Sequence, residues 1–506
     1  MAWKIAGIVA YFAALLVIGA LASRRMRDVR DYFAGGKRLG FWSVAFSARA
    51  TGESAWLLLG LTGMGAVIGV QAFWIVLGEV FGVGGAWLVM SRRFKNLTDR
   101  YDSITVPDYL ESRFRDHGHA IRLVSAGTLV VFVTIYVSAQ IDATGKAFES
   151  FLGWNYFAGA IVGFLVVLVY IVSGGFVAVV WSDVFQGTLM FLGLVSLPII
   201  GFAAAGGVAP VLEGLKAIDP QLLSIWGPGA SWPGTLFTTM GFFFIGLGFL
   251  GSPQVFVRFL ALRSPDEIGR GAAVAITWTV LADSGAVLTG MVGRFLLSGQ
   301  DLGNDGEDVL SLLVVNLLHT AMVGIFIAIV LAAIMSTVDS LLVVASSAVV
   351  RDYYQKVRRP DMPDNALIGM SRAATVVIAS VALGVALTVA VIAKERTIFW
   401  FVIFGWSGIA ATFCPTIILS LFWAKFTARA ALFAMLVGFA GVPFFKFVAP
   451  AIPVVGKAFA DLTELPPAFL LSALTGVVIS LLDRGGRQRL AGVDSELTEA
   501  ARAKKA

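Results

Sequence analysis

The sequence predicts an all-α integral membrane protein whose core holds two helices broken in mid-membrane. Three observations carry this. Of 506 residues, 58% are apolar and only 14% charged, with a mean hydropathy of +0.86, whereas soluble domains average about 25% charged residues. The apolar residues come in solid runs of roughly 20, the length of a spanning helix, rather than the alternating strands of a barrel. Two of these runs are interrupted, at Ala50-Thr51-Gly52-Glu53-Ser54 and at Gly246-Leu247-Gly248-Phe249-Leu250-Gly251-Ser252-Pro253. Hydrocarbon leaves an unpaired backbone group without a partner, so a break survives only where it is buried in protein or lines a cavity. Paired breaks at matching places in two halves point to the binding site of a secondary transporter.

Gly, Pro and charge punctuate the runs, predicting about 13 spans. They lie near 3–22, 40–67, 71–91, 121–150, 156–175, 180–204, 234–260, 270–297, 308–350, 369–391, 397–424, 428–448 and 465–483. The first has Lys4 before it and Arg24, Arg25 and Arg27 after it. A signal peptide carries its charge in front, so this is a retained helix with its N-terminus outside. The run 308–350 is too long for one straight span, and part of it must tilt or project. With this count, 29 of the 38 Lys and Arg residues fall on one side, in 23–39, 92–122, 258–270, 351–372, 425–429 and the tail. That asymmetry makes this side cytoplasmic and places the C-terminus there, in a multi-pass protein of the cytoplasmic (inner) membrane.

The Pro- and Gly-rich loop 205–233 divides 40–204 from 234–424, five helices each. Residues 1–39 hold the first helix and a cytoplasmic loop, 425–483 two further helices, and 484–506 a polar tail expected to be disordered. Five plus five with matching broken first helices predicts an inverted repeat.

Several chemistries are excluded. The lone Cys414 cannot form an internal disulfide, and His117, His119 and His319 form no metal-binding cluster. No nucleotide loop or catalytic triad is present, so an enzyme or a bound cofactor is not expected. The net charge of +6 sits beside spans and reflects orientation, not nucleic-acid binding. The partners read from the chain are a small solute, a coupling ion and the lipid bilayer; nothing in it speaks to oligomeric state.

The polar residues inside the spans are the candidates for function. Ser336, Thr337, Asp339 and Ser340 fall within one turn of an apolar helix. Hydroxyls and freed carbonyls supply the oxygen ligands that hard cations such as Na⁺ take, although Ser and Thr also bond back to their own helix or join helices. An intramembrane carboxylate such as Asp339 costs about 3 kcal/mol to insert and is a functional candidate by default. Asp183 reads equally as a helix N-cap or as part of an ion path. Glu53 lies four residues after Arg49, a spacing that fits a structural ion pair as well as a coupling role. Tyr136 and Gln140 share a face of the fourth span.

With these residues assembled, the chain resembles the sodium/solute symporters, most of all the bacterial sodium/proline symporters. The motifs are Asp31-Tyr32-Phe33-Ala34-Gly35-Gly36, Ser54-Ala55-Trp56-Leu57-Leu58, Val106-Pro107-Asp108-Tyr109-Leu110-Glu111-Ser112-Arg113-Phe114, Gly174-Gly175-Phe176 with Trp181-Ser182-Asp183, and Leu331 through Ser340. The resemblance implies a LeuT-like, five-plus-five inverted-repeat core that works by alternating access. It implies a sodium site made by the carbonyls of Ala50, Glu53 and Ala333 with the hydroxyls of Ser336 and Thr337. Asp183, Asp339 and Ser340 map near a second cation position or exit path. Solute would meet Ser54, Trp56, Tyr136, Gln140, Ile245, Phe249 and Pro253. Two departures stand out: Gly52 replaces the Asp typical of proline symporters, and Ile245 and Phe249 stand where a Trp and a Tyr are expected. The expected function is therefore Na⁺-coupled uptake of a small organic solute, proline or a similar amino acid. H⁺ coupling through Glu53 or Asp339 is an alternative, and so is a sensor that binds solute without net transport.

Overall fold

The computed structural model describes residues 2–23, 29–228, 232 and 234–502; Arg24, Arg25, Arg27, Pro233, Lys504 and Lys505 lie outside them. Among the described residues, ten helices are long and apolar enough to cross a membrane, and the pair Gly234–Leu250 and Pro253–Ala261, bent by 40°, adds an eleventh. One of the ten is the 60-residue run Phe41–Arg100, which would reach about 90 Å if straight. Its backbone leaves helical values at Gly69 (φ 57°), so it makes two spans. With that division, and with the shorter apolar helix Tyr156–Val169, the count reaches the expected 13.

The first half contains α1 (Ala2–Ser23), α2 (Phe41–Ala55), α3 (Thr62–Ile68), α4 (Phe73–Gly84), α5 (Ser91–Arg100), α6 (Val106–Phe114), α7 (Ala120–Leu152) and α8 (Tyr156–Ala204). After α9 (Val208–Ile218), the second half contains α10 (Gly234–Phe244), α11 (Pro253–Ala261), α12 (Ile268–Leu296), α13 (Val309–Leu317), α14 (Thr320–Ser347), α15 (Asp364–Ile392) and α16 (Ile398–Phe422). Last come α17 (Ala428–Pro443), α18 (Leu465–Leu482) and α19 (Val493–Ala501). The two breaks arise where the sequence places them. Between α2 and α3 the chain turns at Ser54 (φ 55°, ψ −169°) and passes through a π-turn at Trp56–Leu61. Between α10 and α11 it tightens into a 3-10 turn, Ile245–Leu250, ended by Gly251 (φ 155°), a value that favours glycine. Pro253, at the first turn of α11, needs no backbone N–H there.

Helices α14 and α16 form the centre and are buried on nearly every face, while α1 and α15 expose apolar side chains such as Val17 and Val377. That combination of a dry centre and an apolar outer ring is what a bilayer demands. The second break passes α4 in direct backbone contact: a Cβ on Gly246 would collide with the Gly78 carbonyl. Gly246→Val should therefore prevent stable packing, because overfilling a packed site costs about 1–3 kcal/mol or more. The expected result is loss of the monodisperse peak in fluorescence-detected size-exclusion chromatography, with Gly269→Val, at a position where a Cβ meets nothing within 4 Å, unaffected.

Four expectations need correction. The run 308–350 is not one tilted helix. It divides at Leu318, whose extended backbone (φ −104°, ψ 148°) separates short α13 from α14. Loop 205–233 contains α9 and a 3-10 turn at Pro220–Leu223. The tail expected to be disordered folds into α19, which docks on α5 with Val493 and Leu497 buried. There Asn96 donates to the Ala500 carbonyl at 2.9 Å and Arg100 pairs with Glu499 at 2.5 Å. Finally, Arg258, counted above among cytoplasmic residues, is fully buried within α11.

Candidate ion-binding and solute-binding site

The break at Ser54 leaves carbonyls of the preceding turn short of regular helical partners, and α14 answers them with hydroxyls. Ser336 donates to the Ala50 carbonyl at 2.9 Å and to the Ala333 carbonyl at 3.1 Å; Thr337 donates to the Thr51 carbonyl at 3.1 Å. All these residues are buried. The result is a set of neutral oxygens from two facing helices, chemistry suited to a monovalent hard cation. Four of the five residues expected at a sodium site, Ala50, Ala333, Ser336 and Thr337, meet here. Glu53 does not join them through its side chain, which turns the other way to pair with Arg49 at i, i+4.

Asp183, Asp339 and Ser340 also come together, around a residue the sequence reading missed. The Arg258 guanidinium donates to Asp183 at 3.2 Å, to Thr51 Oγ1 at 2.8 Å and to Ser340 Oγ, while its Nε donates to Ser47 Oγ at 3.1 Å. Ser47 donates to Asp183 at 2.6 Å, and Ser340 donates to Asp339 at 3.3 Å. Asp183 is not an N-cap. Its helix continues from the kink at Gly175 (φ 58°), and its carboxylate accepts from α2 and α11. Arg258 was legible in principle, as a lone cation six residues after Ser252 in an apolar stretch. Its place near the end of that stretch disguised it as a loop residue.

The solute residues gather at the two breaks. Tyr136 sets its hydroxyl against Ser54. The Gln140 side-chain carbonyl accepts from the Ala55 backbone at 3.0 Å, and the Trp56 backbone donates to Ser54 Oγ at 3.3 Å. Across from them, the Phe249 ring lies 4.9 Å from that of Trp406 on α16, and the Trp406 indole donates to the Ile245 carbonyl at 3.1 Å. Pro253 is buried one turn beyond. Trp406 had no sequence signal, since a Trp in an apolar run usually reads as packing. A Cβ on Gly52 would approach Phe249 Cε1 to 2.7 Å. The Phe249 ring thus lies against the bare backbone at 52, in the space a side chain there would need.

Each end of the bundle carries ion pairs. At one end, Arg122 donates to Asp108 at 2.8 Å and to Asp352 at 2.6 Å. Burial pushes Asp108 up, but Arg351 and Arg122 outweigh it and hold the carboxylate below its ordinary range, so it stays ionised at neutral pH. At the other end, Arg396 and Tyr156 both donate to Asp142 at 2.5 Å, and Lys146 pairs with Glu307 at 2.8 Å.

Comparison with known proteins agrees with this arrangement. The high-affinity proline transporter PutP of Bacillus subtilis is 36% identical over 478 residues, 94% of this chain and 97% of that protein. The sodium/proline symporter of Escherichia coli is 30% identical, over 94% of this chain and 92% of that protein. Among solved structures, a Na⁺-coupled sialic acid symporter in its substrate-bound outward-open state shares the fold, with a TM-score of 0.76 at 18% identity over 95% of this chain and 97% of that one. MhsT in complex with L-phenylalanine matches with a TM-score of 0.51 at 17% identity, over 91% and 98% of the two chains. The fold is therefore the LeuT-like one. The model of the sodium:solute symporter family matches residues 32–438, so the chain belongs to that family and is a multi-pass membrane transporter, not an enzyme.

Proposed function

We propose that the protein couples inward movement of Na⁺ across the cytoplasmic membrane to uptake of proline or a closely similar amino acid. The observation that carries the coupling is the set of oxygens from Ala50, Thr51, Ala333, Ser336 and Thr337, where α14 meets the first break. An ion bound there holds the two helices in one relative position. Its release frees them to separate, which links ion binding to the rocking of one helix set against the other. The main-chain carbonyl of Glu53 remains a candidate for the same ion. Proline is favoured because curated relatives covering nearly the whole chain transport it by name. The Ile245, Phe249, Trp406 wall is apolar and suits a compact ring, while Ser54, Tyr136 and Gln140 provide polar groups for the charged end.

The N-terminus lies outside and the C-terminus inside, which puts the Arg122–Asp108–Asp352 network on the cytoplasmic side and Arg396–Asp142 outside. One charge crossing about 100 mV supplies about 2.3 kcal/mol, and at about 1.4 kcal/mol per tenfold this supports roughly 50-fold accumulation before any sodium gradient is added.

Binding of radiolabelled proline to purified protein, titrated with Na⁺, tests the reading. Sodium-dependent binding is expected, and Phe249→Ala should weaken proline binding roughly tenfold or more through lost ring contact. Proline binding that ignores Na⁺, or a Phe249→Ala variant with unaltered affinity, contradicts the assignment.

A further inference from the structure

Helix α1 lies outside the two five-helix halves, yet it reaches the residues that carry the sodium-site oxygens. It exposes Val9, Leu16 and Val17 on its outer side, and its one hydroxyl in mid-span, that of Tyr11, is buried. Hydrocarbon offers a phenol no partner, so Phe would cost less here unless the hydroxyl is used.

The hydroxyl is used twice. It donates to Met335 Sδ at 3.5 Å and accepts from Gln186 Nε2 at 2.8 Å. The ring also stacks on that of Phe185, with centroids 6.3 Å apart. Met335 belongs to α14 and Gln186 to α8, so one phenol joins three helices. Close packing brings it there: a Cβ on Gly7 of α1 would stand 2.6 Å from the Gly324 carbonyl carbon of α14.

Both partners border the oxygens of the first break. Met335 immediately precedes Ser336, which donates to the Ala50 and Ala333 carbonyls. Gln186 immediately precedes Gly187, where α8 lies against that break: a Cβ at 187 would approach Ala50 Cβ to 3.3 Å. Gln186 is buried, and its Oε1 has no hydrogen-bond partner among the described residues, so the phenol is what fixes this amide. A small oxygen site works only if its ligands are held within about 0.5 Å, and the groups behind the ligands set that precision. A link between α8, which presses on Ala50, and α14, which carries Ser336, controls the spacing of two ligand sources.

We propose that Tyr11 is a positioning residue for the sodium site: its hydroxyl holds α8 and α14 in the register at which the Ala50 carbonyl and the Ser336 hydroxyl face one ion. Tyr11 acts through Gln186 and Met335 and supplies no ligand oxygen. The proposal rests on the sodium reading of Ala50 and Ser336, but not on the identity of the solute.

The thermal-unfolding midpoint of the purified protein tests it, titrated with Na⁺ against choline at constant ionic strength and without solute. In the wild type the midpoint rises with Na⁺, because the ion binds the folded state, and the titration gives a half-effect concentration. Tyr11→Phe removes both hydrogen bonds and keeps the ring. It should raise the half-effect concentration about threefold to tenfold, whatever it does to the midpoint without Na⁺. Leu15→Ala thins the buried face of α1 one turn further on. It should lower the midpoint without Na⁺ and keep the half-effect concentration within about twofold of wild type. A Tyr11→Phe titration that superimposes on the wild type overturns the proposal and leaves the sodium reading intact. An equal rise in Leu15→Ala reduces Tyr11 to packing and overturns it as well. A wild-type midpoint indifferent to Na⁺ removes the sodium site itself, and the proposal with it.

Discussion

Replacing Ser336 or Thr337 with Ala should raise the Na⁺ concentration needed for half-maximal uptake roughly tenfold to a hundredfold, with a far smaller effect on maximal solute binding at saturating Na⁺. Each variant removes one hydroxyl from a small buried oxygen set, and contacts of a hydroxyl with a charged group contribute about 1.5–3 kcal/mol. Ser336 bridges the Ala50 and Ala333 carbonyls, so its loss also releases the contact between α14 and the first break. Thr337 touches the Thr51 carbonyl alone, which predicts the weaker of the two effects for Thr337→Ala. Thr337→Ser keeps the oxygen and should stay close to wild type. Sodium titrations of initial uptake rate in proteoliposomes check the ranking, and unchanged half-saturation in both Ala variants removes these residues from the site.

The largest effect is expected at Arg258. Its guanidinium is the hub for Asp183, Thr51, Ser47 and Ser340, and Asp339 lies against Ser340. Arg258→Met leaves Asp183 and Asp339 buried together without a compensating cation, and breaking a buried pair from one side costs about 3–5 kcal/mol. The expected outcome is little folded protein at the membrane and no uptake. Adding Asp183→Asn removes the orphaned charge and should restore monodisperse protein, though not full transport. Detergent-solubilised yield and thermal stability distinguish the single from the double variant. A stable, active Arg258→Met protein would show that the hub is dispensable.

The breaks were legible because Gly, Ser and Pro in an apolar run have few meanings in a membrane. The residues on either side of the first break were legible too, since Ser336, Thr337 and Asp339 are costly in hydrocarbon. What escaped were the partners supplied from far along the chain. Arg258 lies 75 positions from Asp183, and Glu79 and Asp283 reach Arg49 from α4 and α12. Spacing rules connect residues three or four apart on one helix, which is why Arg49 with Glu53 was foreseen and the two distant carboxylates were not. The division of the 308–350 run was hidden for a different reason: Leu318 and His319 break the helix through backbone angles, with no Gly or Pro to announce it. The docking of α19 was hidden because a polar tail shows its apolar stripe, Val493, Leu497 and Ala500, only once it meets α5.

The central claim is that a sodium gradient drives solute through this bundle. Uptake of radiolabelled proline into proteoliposomes at fixed pH, with and without an inward Na⁺ gradient, tests it most directly. Accumulation above the external concentration that requires the gradient and collapses with a sodium ionophore is the predicted result. Accumulation of equal extent without Na⁺, in protein shown to be folded, would contradict it.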